Sequence, residues 1–239
     1  MADRAALVTG GSSGIGLAIA RALAEDGYGV TLSARRPDKL EEAAKGLTDA
    51  GLDVNAVPAD MSEEDGIKSL AAAHRDHYGR LDVLVNNAGI GIGGEIADAE
   101  TKKLDLQLDV NLRGVYLMSR EMIPALKEAG RETSKALIVN ISSIAGKHGQ
   151  PWLAAYSATK AAVVGLSQAM QGELANDGVQ VTAFCPGFVA TPMTDWVEGV
   201  PKEEMIQPED LAAAVRFLLG TSPACIVPEV QFVRPGDRM

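Results

Sequence analysis

Residues 9–16 read Thr9-Gly10-Gly11-Ser12-Ser13-Gly14-Ile15-Gly16 and directly follow a short apolar run, Ala5–Thr9. The run predicts a strand and the residues after Gly14 predict a helix, so the glycines lie in the turn between them. Gly10 permits a tight turn, and the missing side chains let the backbone approach a diphosphate. The N-terminus of the next helix adds free N–H groups and partial positive charge. This context predicts a nucleotide-binding turn, the alternative being a glycine-rich turn that packs helix on strand.

Strand-like and helix-like segments alternate along the whole chain. Strands are predicted at residues 5–9, 29–34, 53–58, 81–86, 136–141, 179–185 and 226–233. Helices are predicted at residues 14–26, 38–50, 62–78, 102–129, 156–176 and 208–219, the third with Ser62 as N-cap and Asp65 as the acid of a capping box. Such alternation predicts a parallel sheet with helices on both faces, in a single doubly wound Rossmann-type α/β domain over residues 1–239. Residues 188–207 are predicted to form a substrate lid within this domain.

The composition argues against several classes of function. The chain has 239 residues, a hydrophobic content of 46% and a net charge of −10, which suits one full core and argues against binding to nucleic acid or an anionic membrane. No apolar run approaches the about 20 residues of a membrane span. Cys185 and Cys225 lack metal-ligand spacing and are expected to be reduced, buried thiols of a cytoplasmic protein. His74 and His77 lie on a charged helical segment and are expected to be solvated, so no metal site is predicted.

A second informative segment is Tyr156-Ser157-Ala158-Thr159-Lys160, which follows the pair Ser142-Ser143 at the end of a predicted strand. A helical spacing of four places Tyr156 and Lys160 on one face. A lysine ammonium favours the ionised form of a neighbouring phenol, whose ordinary pKa is about 10, and so makes the phenol a usable general acid and base. The alternative is an exposed surface pair without a chemical role. The small residues around Tyr156 and the nearby strand end favour the catalytic interpretation.

Several motifs occur in a fixed order along the chain. They are the TGxxxGxG spacing of residues 9–16, Asn86-Asn87-Ala88-Gly89, Asn111, Ser143, the Tyr156/Lys160 pair, and Pro186-Gly187 with Thr191. Together they resemble the short-chain dehydrogenase/reductase family over essentially the whole chain. Each motif alone is modest, whereas their order and spacing together are specific.

The resemblance implies four catalytic residues. Tyr156 would donate a proton to a carbonyl oxygen, or accept one from an alcohol, while Ser143 polarises that oxygen. Lys160 would lower the pKa of the tyrosine and hold the nicotinamide ribose. Asn111 would fix a helix kink and a water of a proton relay, with simple polar capping as the alternative. Ser142 is the alternative to Ser143, although support of the strand end is its expected role.

The resemblance also implies a set of cofactor contacts. Asp60 would bind the adenine amine beside the Met61 backbone, the alternative being an acid at a helix start. Thr191 would hold the nicotinamide carboxamide or a phosphate. The complete set is Gly10, Ser12, Ser13, Gly14, Ile15, Arg35, Arg36, Asp60, Met61, Asn87, Ala88, Gly89, Tyr156, Lys160, Pro186, Gly187, Val189 and Thr191. For residues 87–89 a structural role at the sheet centre stays open, as does a simple turn for Pro186-Gly187.

The end of the second predicted strand indicates which cofactor is used. NAD-dependent enzymes place an acid there for the adenosine ribose, whereas this chain has Ala34 followed by Arg35 and Arg36. Guanidinium groups suit the extra phosphate of NADP. The residues therefore predict NADP(H) over NAD(H). The alternative is two solvated arginines paired with Asp38 or Glu41.

The substrate is predicted to be a small ketone or secondary alcohol, mainly apolar. The candidate substrate contacts besides Ser143 are His148, Gln150, Trp152, Phe188 and Met193, for all of which core or lid packing is the alternative. Two other functions stay open: a catalytically silent NADP-sensing regulator, and a reductase of carrier-bound 3-ketoacyl groups, which would need a basic docking patch. A homodimer or homotetramer is expected, paired through the long helices that carry Asn111 and Tyr156.

Overall fold

The sheet is parallel throughout and follows the alternation predicted from the sequence. The computed structural model describes residues 3–235, and within that range the sheet has seven strands: β1 Ala5–Thr9, β2 Gly29–Ala34, β3 Val54–Pro58, β4 Val83–Asn86, β5 Ala136–Ile141, β6 Val179–Pro186 and β7 Glu229–Phe232. Their order is β3-β2-β1-β4-β5-β6-β7, with every neighbouring pair parallel. The winding reverses between β1 and β4, which places a crevice at the carboxyl ends of these strands.

Helices cover both faces of the sheet. Within the described range they are α1 Gly14–Glu25, α2 Pro37–Thr48, α3 Glu64–Tyr78, α4 Thr101–Leu108, α5 Gly114–Thr133, α6 Ala154–Leu174 and α7 Pro208–Gly220. A π-helical segment, Asp109–Arg113, joins α4 to α5. The predicted doubly wound α/β fold is therefore confirmed.

Two apolar cores hold the helices to the sheet. On one face Leu23 of α1 and Leu211 of α7 are fully buried against the strands. On the other face Leu70 of α3 and Met118 of α5 are fully buried. Each such side chain stabilises the fold by about 1.5–3 kcal/mol. β1, β5 and β6 are buried at every residue, so the strand ends that form the crevice are rigidly held.

The start of α3 differs from the prediction. Glu63 is the N-cap, and its side chain makes no capping hydrogen bond. The Ser62 hydroxyl instead donates to Asp60 Oδ1 at 2.7 Å, and the Ser62 N–H donates to the same oxygen at 2.9 Å. The predicted capping box of Ser62 and Asp65 is therefore wrong, because the preceding acid engages the serine first.

Two of the burial predictions are also wrong. His74 is fully buried rather than solvated, since its Nδ1 lies 2.7 Å from Thr31 Oγ1 and its Nε2 lies 2.9 Å from the Arg80 carbonyl oxygen. His77 is exposed, as predicted. Cys185 is a buried free thiol, but Cys225 is exposed. It lies in the loop before β7, a strand that begins three residues later than predicted, after Pro228.

Candidate active site

Two adjoining cavities lie along the carboxyl edge of the sheet. The larger has a volume of about 580 Å³ and the smaller about 360 Å³. Both are lined by Ile15, Asn87, Gly89, Thr191 and Met193, so they form one continuous groove. The smaller cavity extends over the glycine turn toward the end of β2, whereas the larger extends over the ends of β5 and β6.

The glycine turn at the end of β1 needs glycine at two positions. Gly10 has φ +66° and Gly14 has φ +53°, in the left-handed region that favours glycine. A Cβ at Gly10 would clash with the Ala88 backbone, and one at Gly14 would press on the Thr191 side chain. Helix α1 then starts after Ser13, whose side chain makes no capping bond. The turn therefore packs against its neighbours and also leaves the start of α1 open to the smaller cavity.

Thr9 and Asn87 hold this turn against the end of β4. Asn87 Nδ2 donates to the carbonyl oxygens of Thr9 at 3.0 Å and Gly10 at 2.9 Å. The Thr9 hydroxyl oxygen accepts the N–H groups of Asn87 and Ala88, each at 3.1 Å. These bonds support the structural role that was left open for residues 87–89. Thr9 was not among the predicted site residues; its only sequence signal was its place before Gly10.

The far end of the smaller cavity is lined by the residues that were predicted to choose the cofactor. Ala34 ends β2, and the exposed Arg35 and Arg36 follow it. Among the described residues, neither guanidinium group forms an ion pair or hydrogen bond with Asp38 or Glu41. Both are thus available to an anionic group in the cavity, as charge-assisted phosphate binding requires.

Asp60 and Met61 line the same cavity. One carboxylate oxygen of Asp60 is occupied by the two bonds from Ser62, so the helix-start role that was the alternative is present in the structure. A contact to an adenine amine stays a prediction.

Ser143 and Tyr156 meet inside the larger cavity. The Ser143 hydroxyl donates to the Pro186 carbonyl oxygen at 3.3 Å and accepts the Ala145 N–H at 3.1 Å, and both Ser143 and Tyr156 line this cavity. Burial raises the pKa of Tyr156 above its ordinary value, and the nearby Ser143 hydroxyl lowers that pKa by a smaller amount. The phenol therefore carries its proton at neutral pH.

Lys160 lies behind the phenol, one helical turn along α6. Its ammonium is buried, 5.6 Å from the centroid of the Tyr156 ring, and donates to the Ile141 carbonyl oxygen at 2.8 Å. Burial lowers the pKa of Lys160 to about 8. This differs from the expected balance, in which the ammonium lowers the pKa of Tyr156. The pKa values of both groups are set mainly by burial. The Lys160 ammonium donates its hydrogen bond to the Ile141 carbonyl oxygen.

The second serine has a separate function. Ser142 Oγ donates to the Lys160 carbonyl oxygen at 2.7 Å and so ties the end of β5 to α6. This agrees with the expected supporting role of Ser142 and leaves Ser143 as the hydroxyl beside Tyr156.

Asn111 lies in the π-helical segment and is fully buried. Its Oδ1 accepts the Ile90 N–H and its Nδ2 donates to the Ile90 carbonyl oxygen, both at 2.8 Å. Nδ2 also donates to Thr159 Oγ1 at 3.1 Å, which joins this helix to α6. The predicted irregularity of the helix at Asn111 is therefore present, and π-helical turns are frequent at functional sites.

Gln107 was missed by the sequence reasoning. It is buried one turn before Asn111, and its Oε1 accepts the Ile92 N–H at 3.1 Å. The loop of residues 89–94 thus has two of its N–H groups bound by side-chain amides. The same loop passes over the catalytic side chains, since a Cβ at Gly91 would contact the Tyr156 ring and one at Gly89 would press on Lys160 Nζ.

All the predicted substrate contacts line the larger cavity: Ser143, His148, Gln150, Trp152, Phe188 and Met193. Trp196, from the segment predicted as a lid, lines it as well. Pro186, Gly187, Val189 and Thr191, which were predicted to contact the cofactor, line it too. Within residues 3–235, no three His, Cys, Asp or Glu side chains cluster as metal ligands, and no helix is long and apolar enough to cross a bilayer.

A glycine turn at the switch point of a doubly wound sheet, joined to a cavity that holds a phenol, a hydroxyl and a buried ammonium, defines a nucleotide-dependent oxidoreductase. The family model for short chain dehydrogenases matches residues 4–199. The chain belongs to the short-chain dehydrogenase family, as the motifs predicted, and it is an oxidoreductase.

Similar proteins include reductases and dehydrogenases. The chain is 36% identical over 246 residues to the 3-oxoacyl-[acyl-carrier-protein] reductase FabG of Staphylococcus aureus, covering 99% of this chain and 98% of the relative. A structure of 3-ketoacyl-(acyl-carrier-protein) reductase from Brucella melitensis complexed with NADH aligns with a TM-score of 0.88 and 33% identity over 96% of both chains. An alcohol dehydrogenase from Thermococcus sibiricus complexed with 5-hydroxy-NADP aligns with a TM-score of 0.87 and 32% identity over 99% of this chain and 98% of that one.

Proposed function

We propose that this protein is an NADP(H)-dependent reductase of small, mainly apolar ketones, and the dehydrogenase of the corresponding secondary alcohols. The observation that carries the proposal is the placement of Ser143, Tyr156 and Lys160 in one cavity, at the point where the groove over the glycine turn opens into apolar surroundings. The phenol holds its proton there, which suits the reductive direction.

The order of charged and polar groups along the groove supports binding of a dinucleotide. Two guanidinium groups stand at one end, the open start of α1 lies in the middle, and the Lys160 ammonium stands at the other end. When bound, NADPH supplies the hydride. The two guanidinium groups suit the extra phosphate, and the partial positive charge at the start of α1 suits the diphosphate. The Lys160 ammonium suits the nicotinamide ribose hydroxyls.

The side chains of the larger cavity perform the proton chemistry. The Ser143 hydroxyl donates a hydrogen bond to the substrate carbonyl oxygen and stabilises the negative charge that develops on it. Tyr156 transfers its proton to the same oxygen and becomes a phenolate, which the nearby Lys160 ammonium stabilises. Apolar walls around these groups exclude water and strengthen both interactions.

The preference for NADP(H) rests on β2. The fold does not decide the cofactor, because neighbours of this fold hold either NADH or 5-hydroxy-NADP. Ala34 removes the acid that would repel a 2′-phosphate, and Arg35 and Arg36 supply two unpaired cations at that position.

A second candidate is a reductase of 3-ketoacyl thioesters, which the similarity to FabG favours. Such a substrate on an acidic carrier protein would need unpaired basic residues around the entrance. Lys147 and Lys202 are instead paired with Glu229 at 2.7 Å and Asp195 at 2.9 Å. Free ketones are therefore the first choice. The alternative of a silent regulator is disfavoured, because the four predicted catalytic residues Asn111, Ser143, Tyr156 and Lys160 meet around one loop and one cavity.

Self-association is part of the proposal. Leu104 and Leu108 of α4 and Tyr116 of α5 are exposed on the helices flanking Asn111, at 40%, 38% and 56%. Pairing of these helices between subunits would cover them, in a homodimer or homotetramer that light scattering at several protein concentrations would reveal. A cytoplasmic location stays a prediction from the sequence.

The function is tested with a panel of free ketones, short 3-ketoacyl thioesters and secondary alcohols, each assayed with both cofactors through the absorbance of the reduced nicotinamide. Turnover of free ketones with NADPH, and much slower turnover with NADH, is expected. Turnover of thioesters alone would replace the first candidate by the second. Absence of turnover across the panel, with tight NADPH binding, would support the regulator.

A further inference from the structure

We propose that Trp152 and Trp196 form an aromatic corner that selects carbonyl substrates carrying an aryl group. This inference rests on the proposed function, of which it names the substrate class. Both indoles line the larger cavity, and they are the two tryptophans of the chain. Their ring centroids are 6.1 Å apart and their planes are tilted by 53°.

Trp152 has a strained backbone conformation. It has φ +68°, a region that bulky residues rarely occupy, and strained residues of this kind cluster at ligand clamps. The Trp152 carbonyl oxygen accepts the Gly94 N–H at 2.8 Å. The indole packs against Gly93 so closely that a Cβ at that position would clash with its six-membered ring. The backbone conformation, the hydrogen bond to Gly94 and the packing on Gly93 together fix the position of this side chain.

In this position Trp152 as a residue is 53% exposed, although burial would stabilise it. A large apolar ring held rigidly in the open is what a binding surface requires, because little freedom is lost when a ligand covers it. A purely structural tryptophan would instead be expected to lie in the core.

Trp196 completes the corner from the segment of residues 188–207. It is 56% exposed and touches Phe188 edge-on, with centroids 6.3 Å apart. Three aromatic rings therefore line the cavity, with Trp196 in contact with both Trp152 and Phe188 and inclined to each of them. Aromatic groups pair best in tilted or offset arrangements, so a ligand ring seated in this corner meets one indole by its face and the other by its edge.

The position of the corner matches the proposed reaction. Trp152 precedes α6, the helix that carries Tyr156, and the loop that packs on the indole also passes Tyr156, since a Cβ at Gly91 would contact its ring. A substrate whose carbonyl oxygen reaches Ser143 and Tyr156 would thus extend its remaining part toward the two indoles. A flat, electron-rich group fits that surface better than a saturated group of the same size.

The test compares phenylacetone with cyclohexylacetone, which share one carbonyl environment and differ in ring saturation. Trp196→Leu is expected to lower kcat/KM for phenylacetone about tenfold and for cyclohexylacetone less than about twofold, as loss of an aromatic pair implies. Phe217→Leu, which removes an exposed aromatic ring from α7, is the matched control and should change neither value. Equal losses for both ketones in Trp196→Leu would overturn the proposal.

A binding measurement keeps the inference separate from catalysis. Because both tryptophans lie in the corner, their fluorescence reports its occupancy directly. In Tyr156→Phe protein, the alcohol of phenylacetone should change this fluorescence at about tenfold lower concentration than the alcohol of cyclohexylacetone. Equal concentrations would overturn the aryl preference even if Trp196→Leu failed to fold. If wild-type protein reduced neither ketone, the proposed function would fail while this titration still decided the corner.

Discussion

Asn111 binds both backbone polar atoms of Ile90 through one side-chain amide, with two hydrogen bonds of 2.8 Å. The amide thereby provides the hydrogen bonds that a neighbouring strand would provide in a sheet, since the chain has left the sheet after β4. Gln107, one turn earlier, repeats the contact on the Ile92 N–H. Two amides on one helix thus hold residues 89–94 over Tyr156 and against Trp152.

Replacing Gln107 should loosen this loop without touching the reacting groups. Gln107→Met keeps the length of the side chain but leaves the half-buried Ile92 N–H without its acceptor, which lowers the free energy of unfolding by about 1 kcal/mol. KM for ketones should rise with a smaller change in kcat, because the loop of residues 89–94 that borders the cavity shifts while the position of Tyr156 is unchanged. Chemical denaturation and steady-state kinetics measure both effects.

The control at this position is Gln107→Glu, which retains an acceptor oxygen. It should restore a lower KM than the methionine variant, although burial of its carboxyl group limits the rescue. Equal KM values in the two variants would show that side-chain volume at residue 107 matters and the hydrogen bond to Ile92 does not.

Tyr156→Phe removes the proposed proton donor and little else. Turnover should fall roughly 10²–10⁴-fold, the usual contribution of a general acid. NADPH binding, followed by nicotinamide fluorescence, should change little because the ring remains beside Lys160. Tyr116→Phe, at an exposed tyrosine of α5, serves as the matched variant. Wild-type turnover in Tyr156→Phe protein would exclude the acid role.

Arg35→Ala tests the assignment of the cofactor phosphate. A charge-assisted bond to phosphate contributes about 1.5–3 kcal/mol, so the Kd for NADPH should rise about tenfold or more while the Kd for NADH stays nearly constant. Arg21→Ala, at an exposed arginine of α1, should affect neither cofactor. Similar increases for NADPH and NADH would place the guanidinium on a part that both cofactors share.

The residues that local motifs could predict are those whose function depends on sequence spacing. The Tyr156/Lys160 pair follows from one helical turn, and the glycine turn follows from backbone freedom at Gly10 and Gly14. These signals lie within a few residues of one another, so no knowledge of the tertiary structure was needed to find them.

The residues that escaped prediction act through distant backbone atoms. Thr9 binds the N–H groups of Asn87 and Ala88, and Gln107 binds that of Ile92. Neither contact has a periodic signal, because each depends on where a loop returns in space. The raised pKa of Tyr156 was not predicted for a similar reason. The spacing brings Lys160 near the phenol, but burial of the phenol and the bond from Lys160 to the Ile141 carbonyl oxygen depend on the tertiary structure.

His74 should make stability depend on pH. Burial lowers the pKa of His74 to about 4, and its neutral ring bridges two groups. Nε2 must carry the proton, because the Arg80 carbonyl oxygen can only accept, and Nδ1 then accepts from the Thr31 hydroxyl. Since the pKa in the folded state lies below that of an unfolded chain, about 6.5, the neutral ring stabilises the fold fully above pH 6.5.

That stabilisation should be lost progressively as pH falls from about 6.5 toward 4, by at most about 3 kcal/mol, because protons then bind the unfolded state preferentially. Urea denaturation across this range measures the slope. His74→Gln, whose amide retains a donor for Arg80, should flatten the slope between pH 6.5 and 4, whereas His77→Gln, at the exposed neighbour, should leave it unchanged. An unaltered slope in His74→Gln protein would assign the pH dependence to other groups.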